Sequence, residues 1–335
     1  MTLPFQRLSI FHLRTQLYRT RVLNLYFMYY RFLLSIFVAY RTTYPRSEGF
    51  SSPSLLMRMT MRYREYLDSH LGKNVPKHIH LPRGYDVVGH VALLTLSFDE
   101  PDFVSRIAEL TLDYDSKVRS VAVRTGPTMG VARLPSFTLV AGDPDTLTTH
   151  VENGVRFRIN PLRLTFSRGN RGERIAFPQR VNDHEHVVDM FACVGQFGLH
   201  IAVHTKAHVT AIEINPDAFK FLQENIELNA VQDRMTALLG DCREVHPIDS
   251  ADRVIMGYLH DTIDYLPAAL ETLSSRGGWI HMHLTNPESE IQEHCNTITT
   301  LSRAHGYHAI PTPRELKHYS PGIIHYVFDI QLQPI

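Results

Sequence analysis

The sequence predicts an α/β protein in which a doubly wound, mainly parallel sheet follows a small α+β domain. From about residue 168 onward, apolar runs of strand length alternate with helical segments, as they do in parallel βαβ units. The stretch from Val187 to Asp241 contains three such runs, and each ends on an acidic residue. Glu213 ends the second run about twenty residues after a glycine turn, where a nucleotide-binding unit places a carboxylate against ribose hydroxyls.

The apolar runs of the C-terminal half are predicted strands. They are VVDMF, VTAIEI, MTALLGD, DRVIMGY, GGWIHMHL and IIHYVFDIQL. Residues 217–229 follow Pro216, which is favoured in the first turn of a helix, and they are predicted to be helical. The last run has no helix after it, so we expect a terminal hairpin to add an antiparallel edge to the sheet.

The region from Leu67 to about Thr165 contains both the strand-like and the helix-like spacing of apolar residues. GHVALLTL and VRSVAVR have the composition of short strands, whereas PDFVSRIAELTL opens with proline and then shows helical spacing. VRFRINPLRLTFS alternates apolar and polar residues, as strands of a half-buried sheet do. These patterns predict a small α+β domain over residues 57–165, before a larger domain over residues 166–335.

Residues 1–56 differ in composition from the rest, with seven arginines, no lysine and a single acid. Within them, the apolar run 22–40 approaches the length of a membrane span but is interrupted by Arg31. A membrane anchor and an Arg-rich targeting segment are two interpretations. The third, which we favour, is a poorly structured extension outside the fold. The true start would then be one of the methionines Met57, Met59 and Met61.

The bulk composition excludes some classes of protein. Charge is balanced, with 34 basic and 34 acidic side chains, so by itself it indicates no polyanionic partner. Three cysteines without a CxxC pair argue against a disulfide framework or structural zinc, and they favour a reducing, cytoplasmic compartment. No membrane partner is expected for residues 57–335, and no obligate protein partner is inferred.

The acids at the strand ends discriminate between cofactors. Gly195 and Gly198 form only part of a dinucleotide fingerprint, with Cys193 where its first glycine would stand, and an ordinary tight turn is the alternative. Asp241 ends the third run, where an acid can accept a hydrogen bond from an adenine amino group. Dinucleotide enzymes rarely need that acid, whereas S-adenosylmethionine enzymes commonly use it and need fewer phosphate-binding glycines. The pattern therefore favours S-adenosylmethionine over NAD, although each carboxylate alone is also compatible with a solvated strand end.

A long part of the chain resembles one known family. The string LTFSRGNRGERIAFPQRVNDHEHVVDMFACVGQFGLHIAVH is followed by AIEINPDAFKFLQENIELNAVQDRM, GDCRE, DRVIMGY and KHYSPGIIHYVFD, and preceded by THVENGVRFRINP. Together they are similar to the wybutosine-pathway tRNA(Phe) 4-demethylwyosine C7 aminocarboxypropyltransferases, relatives of the tRNA guanine-37 N1-methyltransferases. The resemblance covers roughly Leu81 to Ile330. It implies a class I S-adenosylmethionine-dependent methyltransferase-like Rossmann domain, with a seven-stranded sheet and an antiparallel edge.

The end of the fourth strand discriminates between the two branches of this resemblance. N1-methyltransferases carry an Asn-Pro-Pro or similar signature there, whereas this chain has Met256-Gly257-Tyr258-Leu259-His260, which is similar to the aminocarboxypropyl branch. The resemblance therefore implies transfer of a 3-amino-3-carboxypropyl group, with methylthioadenosine leaving. N1-methylation of guanine 37 is the nearest alternative, and a binding module that keeps the fold without catalysis is another.

The resemblance also implies seven site residues. The cofactor contacts would be Ser167, Arg174, Glu213 at the ribose, and Asp241 with Cys242 at the adenine, while Asn170 and Tyr258 would line the reactive end. The Arg174 guanidinium suits a carboxylate because it can form a bidentate pair, and a salt bridge with a neighbouring glutamate, Glu173 or Glu185, is its alternative role.

Two further points concern the reacting atoms. Cys193 has a larger side chain than glycine, and two interpretations follow: it crowds the cofactor at the turn, or it is small enough to fit beside it. A base must take the ring proton of the acceptor carbon, and His260 and Asp261 lie near the right loop, with water as a third candidate.

A tRNA substrate requires cationic surface. The candidates are seven arginines, Arg156, Arg158, Arg163, Arg168, Arg171, Arg174 and Arg180. For the alternating Arg156 and Arg158, the solvated face of a strand is the alternative interpretation. We expect the partner to be the anticodon region of tRNA(Phe), recognised through unpaired nucleotides.

Histidine pairs are the remaining candidates for a site. His200 with His204 has helical spacing, and His281 with His283 shares a strand face. No carboxylate stands at a matching offset, so we expect no metal site. We place these histidines at the edge of the core or on an RNA-facing surface.

Overall fold

A computed structural model describes residues 61–72, 75–259 and 261–335, which belong to one compact unit beginning at Met61. The predictions for residues 1–56, and the candidate starts Met57 and Met59, lie outside the described residues. Among the helices that are described, none is both long and apolar enough to span a bilayer.

The N-terminal part is a small α+β arrangement, as the mixed periodicities predicted. Its elements are α1 (Tyr63–Leu71), β1 (Asp86–Val88), β2 (Val91–Leu94), α2 (Pro101–Tyr114), β3 (Ser120–Arg124) and β4 (Phe137–Gly142). The strands form a sheet in the order β1-β2-β3-β4, and α2 is the crossover that makes β2 and β3 parallel. Pro101 stands in the first turn of α2, and the helix buries Ile107 and Leu110 against the sheet.

A hairpin of β5 (Thr148–Glu152) and β6 (Val155–Ile159) follows. The alternation predicted along this stretch holds over β6, where Val155, Phe157 and Ile159 are buried. It was wrong beyond Ile159: Pro161 follows directly after Asn160, whose backbone and side chain accept the hydrogen bonds of a turn, so residues 160–167 form no strand.

The larger sheet has seven strands. They are β7 (His186–Asp189), β8 (His208–Glu213), β9 (Met235–Leu239), β10 (Arg253–Met256), β11 (Gly278–Asn286), β12 (Tyr307–Ser320) and β13 (Ile323–Pro334). Their order is β12-β13-β11-β10-β7-β8-β9, and only the β12 and β13 pairings are antiparallel. The predicted class I architecture with an antiparallel edge is confirmed.

Helices cover both faces of this sheet. They are α3 (Arg171–Ala176), α4 (Gly198–His204), α5 (Pro216–Leu228), α6 (Cys242–Val245), α7 (Leu266–Thr272) and α8 (Ile291–Ala304). Neighbouring residues Val187 and Val188 of β7 belong to two different apolar clusters, one on each face. Because both faces are buried, the central strands read as continuous apolar runs.

The longest strand of the antiparallel edge, β12, was not predicted from the sequence. It contains Pro311 and Pro313, which argue against a central strand. The structure places β12 at the outer edge of the sheet, where a missing N–H costs no ladder hydrogen bond.

Candidate cofactor site

A cavity of about 450 Å³ opens where the carboxyl ends of β7, β8, β9 and β10 meet. This is the edge at which open α/β sheets bind ligands, and the volume suits a small molecule. Six of the seven predicted site residues line it: Ser167, Asn170, Glu213, Asp241, Cys242 and Tyr258. The seventh, Arg174, has no exposed surface.

Glu213 ends β8 and points into the turn after β7. Its Oε2 accepts a 2.6 Å hydrogen bond from the Cys193 N–H, and its Oε1 accepts one of 2.7 Å from the Asn215 N–H. Burial raises the pKa of this carboxyl, and the two backbone hydrogen bonds oppose that shift. A carboxylate has about four acceptor positions, so Glu213 keeps acceptors for a pair of hydroxyls.

The turn that joins β7 to α4 has a left-handed backbone at two positions. Gly195 has φ +94° and Cys193 has φ +50°, which is uncommon for a residue with a side chain. The Cys193 thiol donates to the Thr165 carbonyl at 3.5 Å, and burial raises its pKa to about 12. Cys193 lines the cavity.

Asp189, the acid at the end of β7, supports this turn from below. It is fully buried and accepts hydrogen bonds from the Phe191 and Gly198 N–H groups at 3.3 and 3.2 Å. Burial raises its pKa to about 7. The first of the three strand-end acids therefore holds the backbone, and the other two face the cavity.

Asp241 caps α6, accepting from the Arg243 N–H at 2.9 Å. The Arg243 guanidinium also makes a bidentate pair with it, at 3.0 and 2.6 Å, and this hydrogen bonding lowers the pKa of Asp241. Three of its acceptor positions are thus used and one remains for a ligand donor. Cys242 is buried beside it, and burial raises its pKa to about 12.

Aromatic rings form another wall of the cavity. Phe191 and Tyr258 stack with ring centroids 5.3 Å apart and planes 17° apart, and Tyr265 meets Phe191 edge to face at 5.0 Å. The Arg243 guanidinium lies 4.6 Å from the centre of the Tyr265 ring. Phe191 and Tyr265 were missed by sequence reasoning, because apolar residues near strand ends look like ordinary core residues.

Arg174 does not contact the cavity as predicted. Its Nε and Nη2 donate to the two carboxylate oxygens of Glu152 at 3.1 Å each, and its Nη1 donates to the Ser167 carbonyl and, at 3.4 Å, to Gln196. The predicted carboxylate-binding role is therefore corrected. Arg174 is a buried support for the Ser167 turn, and its partner is neither glutamate considered from the sequence.

The Ser167–Asn170 turn lines the same cavity as the two strand-end acids. The Ser167 N–H donates to the Gln196 side chain at 3.0 Å, and Asn170 is buried. The ammonium of Lys317, on β12, donates to Asn170 Oδ1 at 3.2 Å and lines the cavity too. Lys317 opens the string KHYSPGIIHYVFD of the resemblance, but no role at the site was inferred for it from the sequence.

The predicted base candidates and metal-like histidines fall in different places. His260 lies outside the described residues, and Asp261 is exposed at the start of a 3-10 turn, Thr262–Tyr265. His200 is buried, and its Nε2 lies 3.1 Å from Glu152 Oε1, so it is a residue of the core. Within the described ranges, no three His, Cys, Asp or Glu side chains are arranged to hold a metal.

His281 and His283 are also buried, which corrects their placement at the edge of the core or on an RNA-facing surface. His281 Nδ1 contacts Asp329 at 2.6 Å while its Nε2 faces the Arg253 guanidinium at 2.6 Å. Because a guanidinium can only donate, the proton of this imidazole is on Nδ1. Burial lowers the pKa of both histidines, that of His283 to about 3.

The seven-arginine cluster is only partly available to a ligand. Arg174 is buried, and Arg180 is held by Glu173 at 2.9 Å. Arg158 pairs with Glu224 at 3.2 Å. Arg156, Arg163 and Arg171 are exposed, and Arg168 reaches the cavity while paired to Asp86 at 2.6 Å. Two further cavity arginines, Arg124 and Arg133, were missed because they are isolated in the sequence.

The donor set fits an adenosine-containing cation. Carboxylates suit ribose hydroxyls, an adenine amino group and a positive sulfonium, and flat aromatic rings suit a purine. Glu213 and Asp241 line the cavity, with acceptor positions left, and Phe191 and Tyr258 provide the rings. The arrangement thus defines a class I S-adenosylmethionine-type cofactor site.

Comparison with known proteins places the chain more narrowly. Residues 64–146 match a family described as TYW2 N-terminal domain, and residues 148–310 match one described as TRM5/TYW2 methyltransferase domain. A Pyrococcus horikoshii protein named tRNA(Phe) (4-demethylwyosine(37)-C(7)) aminocarboxypropyltransferase is 37% identical over 273 residues, covering 81% of this chain and 96% of that protein. The chain therefore belongs to the TRM5/TYW2 family, in its aminocarboxypropyltransferase branch.

Two other comparisons are with one protein named TYW2 and one named Trm5b. The crystal structure of P. horikoshii TYW2 in complex with MeSAdo superposes with a TM-score of 0.69 at 34% identity, covering 80% of this chain and 98% of that one. A Pyrococcus abyssi protein named tRNA (guanine(37)-N(1))-methyltransferase Trm5b is 29% identical, covering 77% of this chain and 78% of that protein.

Proposed function

We propose that this chain transfers the 3-amino-3-carboxypropyl group of S-adenosylmethionine to C7 of 4-demethylwyosine at position 37 of tRNA(Phe), releasing methylthioadenosine. The support is the TYW2 branch membership together with the Met256-Gly257-Tyr258 sequence at the end of β10, beside the cavity. The observation that carries the proposal is one cavity lined both by the strand-end carboxylates and by the Ser167–Asn170 turn.

S-adenosylmethionine supplies a sulfonium whose attached carbons are already activated, so positioning by the protein dominates over acid–base work. In the proposal, Glu213 accepts the ribose hydroxyls, and its own position is set by the Cys193 and Asn215 N–H groups. Asp241, with one acceptor position left, takes the adenine amino group. The stacked rings of Phe191 and Tyr258 provide a flat wall.

Tyr258 and Asn170 are proposed to line the reactive end. Thr262 donates its hydroxyl to the Tyr258 carbonyl, which ties the loop after β10 to the turn that follows it. Gly257 carries no side chain, and a Cβ added there would be in ordinary van der Waals contact with the Phe197 ring, at 3.7 Å. The acceptor ring could therefore approach the loop without meeting a side chain at position 257.

The tRNA is proposed to bind through its anticodon region, with the target base splayed into the cavity. Arg124, Arg133 and Arg168 line the cavity and come from parts of the chain outside the seven-stranded sheet. Guanidinium groups at the mouth of a base pocket suit the phosphates that flank an extruded base. A cytoplasmic location is part of the proposal and rests on the sparse, unpaired cysteines.

The test is transfer of label to tRNA(Phe) carrying the tricyclic precursor. With carboxyl-labelled S-adenosylmethionine, we expect label in the tRNA and free methylthioadenosine in equal amounts. With methyl-labelled S-adenosylmethionine, we expect the label to leave in methylthioadenosine. N1-methylation needs an unmodified guanine at position 37, so it is tested in parallel on tRNA(Phe) that carries this guanine. Label entering that tRNA from the methyl donor alone would establish N1-methylation instead. Cofactor binding without any transfer would indicate a binding module.

A further inference from the structure

Lys317 is placed at the cavity by an irregularity of β12. Arg314 of β12 pairs with Val327 of β13, and Lys317 pairs with His325, so one extra residue bulges between Glu315 and Lys317. Side chains of Val327 and His325, two residues apart, share a face of the sheet. The bulge therefore turns Lys317 to the face used by Arg314, towards the Ser167–Asn170 turn.

The Lys317 ammonium fits closely against that turn. It donates to Asn170 Oδ1 at 3.2 Å, and a Cβ added at Gly169 would overlap Lys317 Nζ. Only glycine at position 169 leaves room for the ammonium in this position. Gly169, Asn170 and Lys317 all line the cavity.

The charge of Lys317 is not neutralised by the protein around it. Among the ion pairs of the described ranges, the nearby carboxylates of Glu173 and Asp329 are taken by Arg314, at 2.8 and 3.1 Å, and none involves Lys317. Lys317 is half-buried, and burial, with the charge of Arg174, lowers its pKa. A half-buried cation facing a cavity is stabilised by an anion that binds there.

The donor molecule carries only one anionic group, the carboxylate of its amino acid part. The two strand-end acids are proposed to hold the adenosine part, which leaves the Ser167–Asn170 turn and Lys317, in the same cavity, for the amino acid part. We propose that Lys317 binds the carboxylate of the donor's aminocarboxypropyl group. The inference rests on the proposed cofactor, and it gives Lys317 the role that the sequence indicated for Arg174.

This interaction has a consequence for which carbon is transferred. A donor held at the adenosine by Glu213 and at the carboxylate by Lys317 is fixed at both ends. The orientation of the sulfonium between them, and so the carbon that faces Tyr258, is then determined by the protein. Lys317 is in this sense a residue that positions the donor.

The test is a binding cycle in which the affinities of several ligands for the unaltered protein and for its variants are compared. The affinities are measured by isothermal titration calorimetry in the absence of tRNA. Lys317→Met should weaken S-adenosylmethionine binding roughly 10- to 100-fold, as loss of a charge-assisted hydrogen bond does. Methylthioadenosine, which lacks the carboxylate, should bind with unchanged affinity. Decarboxylated S-adenosylmethionine should bind Lys317→Met no more weakly than it binds the unaltered protein. Lys220→Met, at an exposed position on α5, is the matched control and should change none of these affinities.

A second variant guards against a general loss of structure. Gly169→Ala keeps the ammonium but forces the flexible end of Lys317 to shift, so it should weaken S-adenosylmethionine binding selectively, and by less than Lys317→Met does. Equal losses for S-adenosylmethionine and methylthioadenosine, or no loss for either, would overturn the assignment. Weakened tRNA binding with unchanged S-adenosylmethionine binding would overturn it too and assign Lys317 to a phosphate.

A failure of the Lys317 proposal can be told apart from a failure of the proposed function. If the selective loss appears but methyl label enters tRNA, the Lys317 interaction stands and the proposed transfer does not. If propyl transfer occurs while the cycle shows no selective loss, only the Lys317 interaction is withdrawn.

Discussion

Glu152 and Arg174 form a bidentate ion pair that is wholly inside the protein. The two hydrogen bonds are 3.1 Å each, and the side chains are 1% and 0% exposed. Glu152 ends β5 of the hairpin, whereas Arg174 lies in α3 and also holds the Ser167 carbonyl. The pair therefore connects the hairpin to a turn that lines the cavity.

We predict that Glu152→Gln destabilises the protein strongly. It would leave the Arg174 guanidinium buried without a counter-charge, which costs about 3–5 kcal/mol. Urea unfolding measures the change in the free energy of unfolding. Glu224→Gln is the matched control because Glu224 pairs with Arg158 at the surface, with both side chains about half exposed, and it should cost less than about 1 kcal/mol. Similar losses for both variants would contradict the prediction.

Glu213→Gln should weaken adenosine and S-adenosylmethionine binding by the same factor. Both ligands carry the ribose hydroxyls, and an amide offers one acceptor oxygen where the carboxylate offers two. The expected loss is roughly 10-fold or more, measured by calorimetry. Unequal losses for the two ligands would place Glu213 elsewhere on the cofactor. Glu227→Gln, exposed on α5, should leave both affinities unchanged.

Substitution of Arg124 and Arg133 together by glutamine should weaken tRNA binding without changing cofactor affinity. Both line the cavity. Each arginine–phosphate interaction that is removed should lower the salt dependence of binding by about one unit of slope, so the double substitution should lower it by about two. Filter binding at several salt concentrations measures this.

The pair Arg156 and Arg158, predicted from sequence to bind tRNA, provides the comparison. Arg158 is already paired with Glu224, so we expect a smaller effect from replacing it than from replacing the cavity arginines. A larger effect from replacing Arg156 and Arg158 would indicate that the tRNA binds at β6 and not at the cavity.

Asp329 should contribute acid-sensitive stability. Burial by itself would raise its pKa, but hydrogen bonds from His281 and Arg314 outweigh burial and hold the pKa at about 2. A pKa below the ordinary 3.8 means that the folded state favours the charged form. The contribution, on the order of 2 kcal/mol, is complete above about pH 4 and is lost as the pH falls from about 4 to 2.

The measurement is urea unfolding between pH 2 and 7 for the unaltered protein and for Asp329→Asn. The difference in the free energy of unfolding should be largest at neutral pH and vanish near pH 2. A difference that stays constant across this range would contradict the pKa argument. Asp233→Asn, at a largely exposed side chain, is the control.

Much of the larger domain was predictable because its signals are local. The alternation of apolar strands and helices, the proline at the start of α5 and the acids ending β8 and β9 are each contained in a short segment. Glu213, Asp241, Cys242 and Tyr258 line the cavity because strand ends of a parallel sheet meet at one edge. Ser167 and Asn170 line it from the turn before α3, and they were implied by the resemblance. Their individual roles remain proposals. The edge strand β12 was missed because its prolines resemble a loop signal, and its place at the edge depends on strands elsewhere.

By itself, the sequence determined the fold class, the resemblance to one branch of a family and the acids that face the cavity. Only the tertiary structure decided which cation serves the core and which faces the cavity. Arg174 meets Glu152, 22 residues earlier, and becomes a buried support, whereas Lys317 reaches Asn170 from 147 residues away with its charge unpaired among the described side chains. A local pattern carries no information about such distant partners, and the partner determines whether a charge is neutralised inside the protein or left for a ligand.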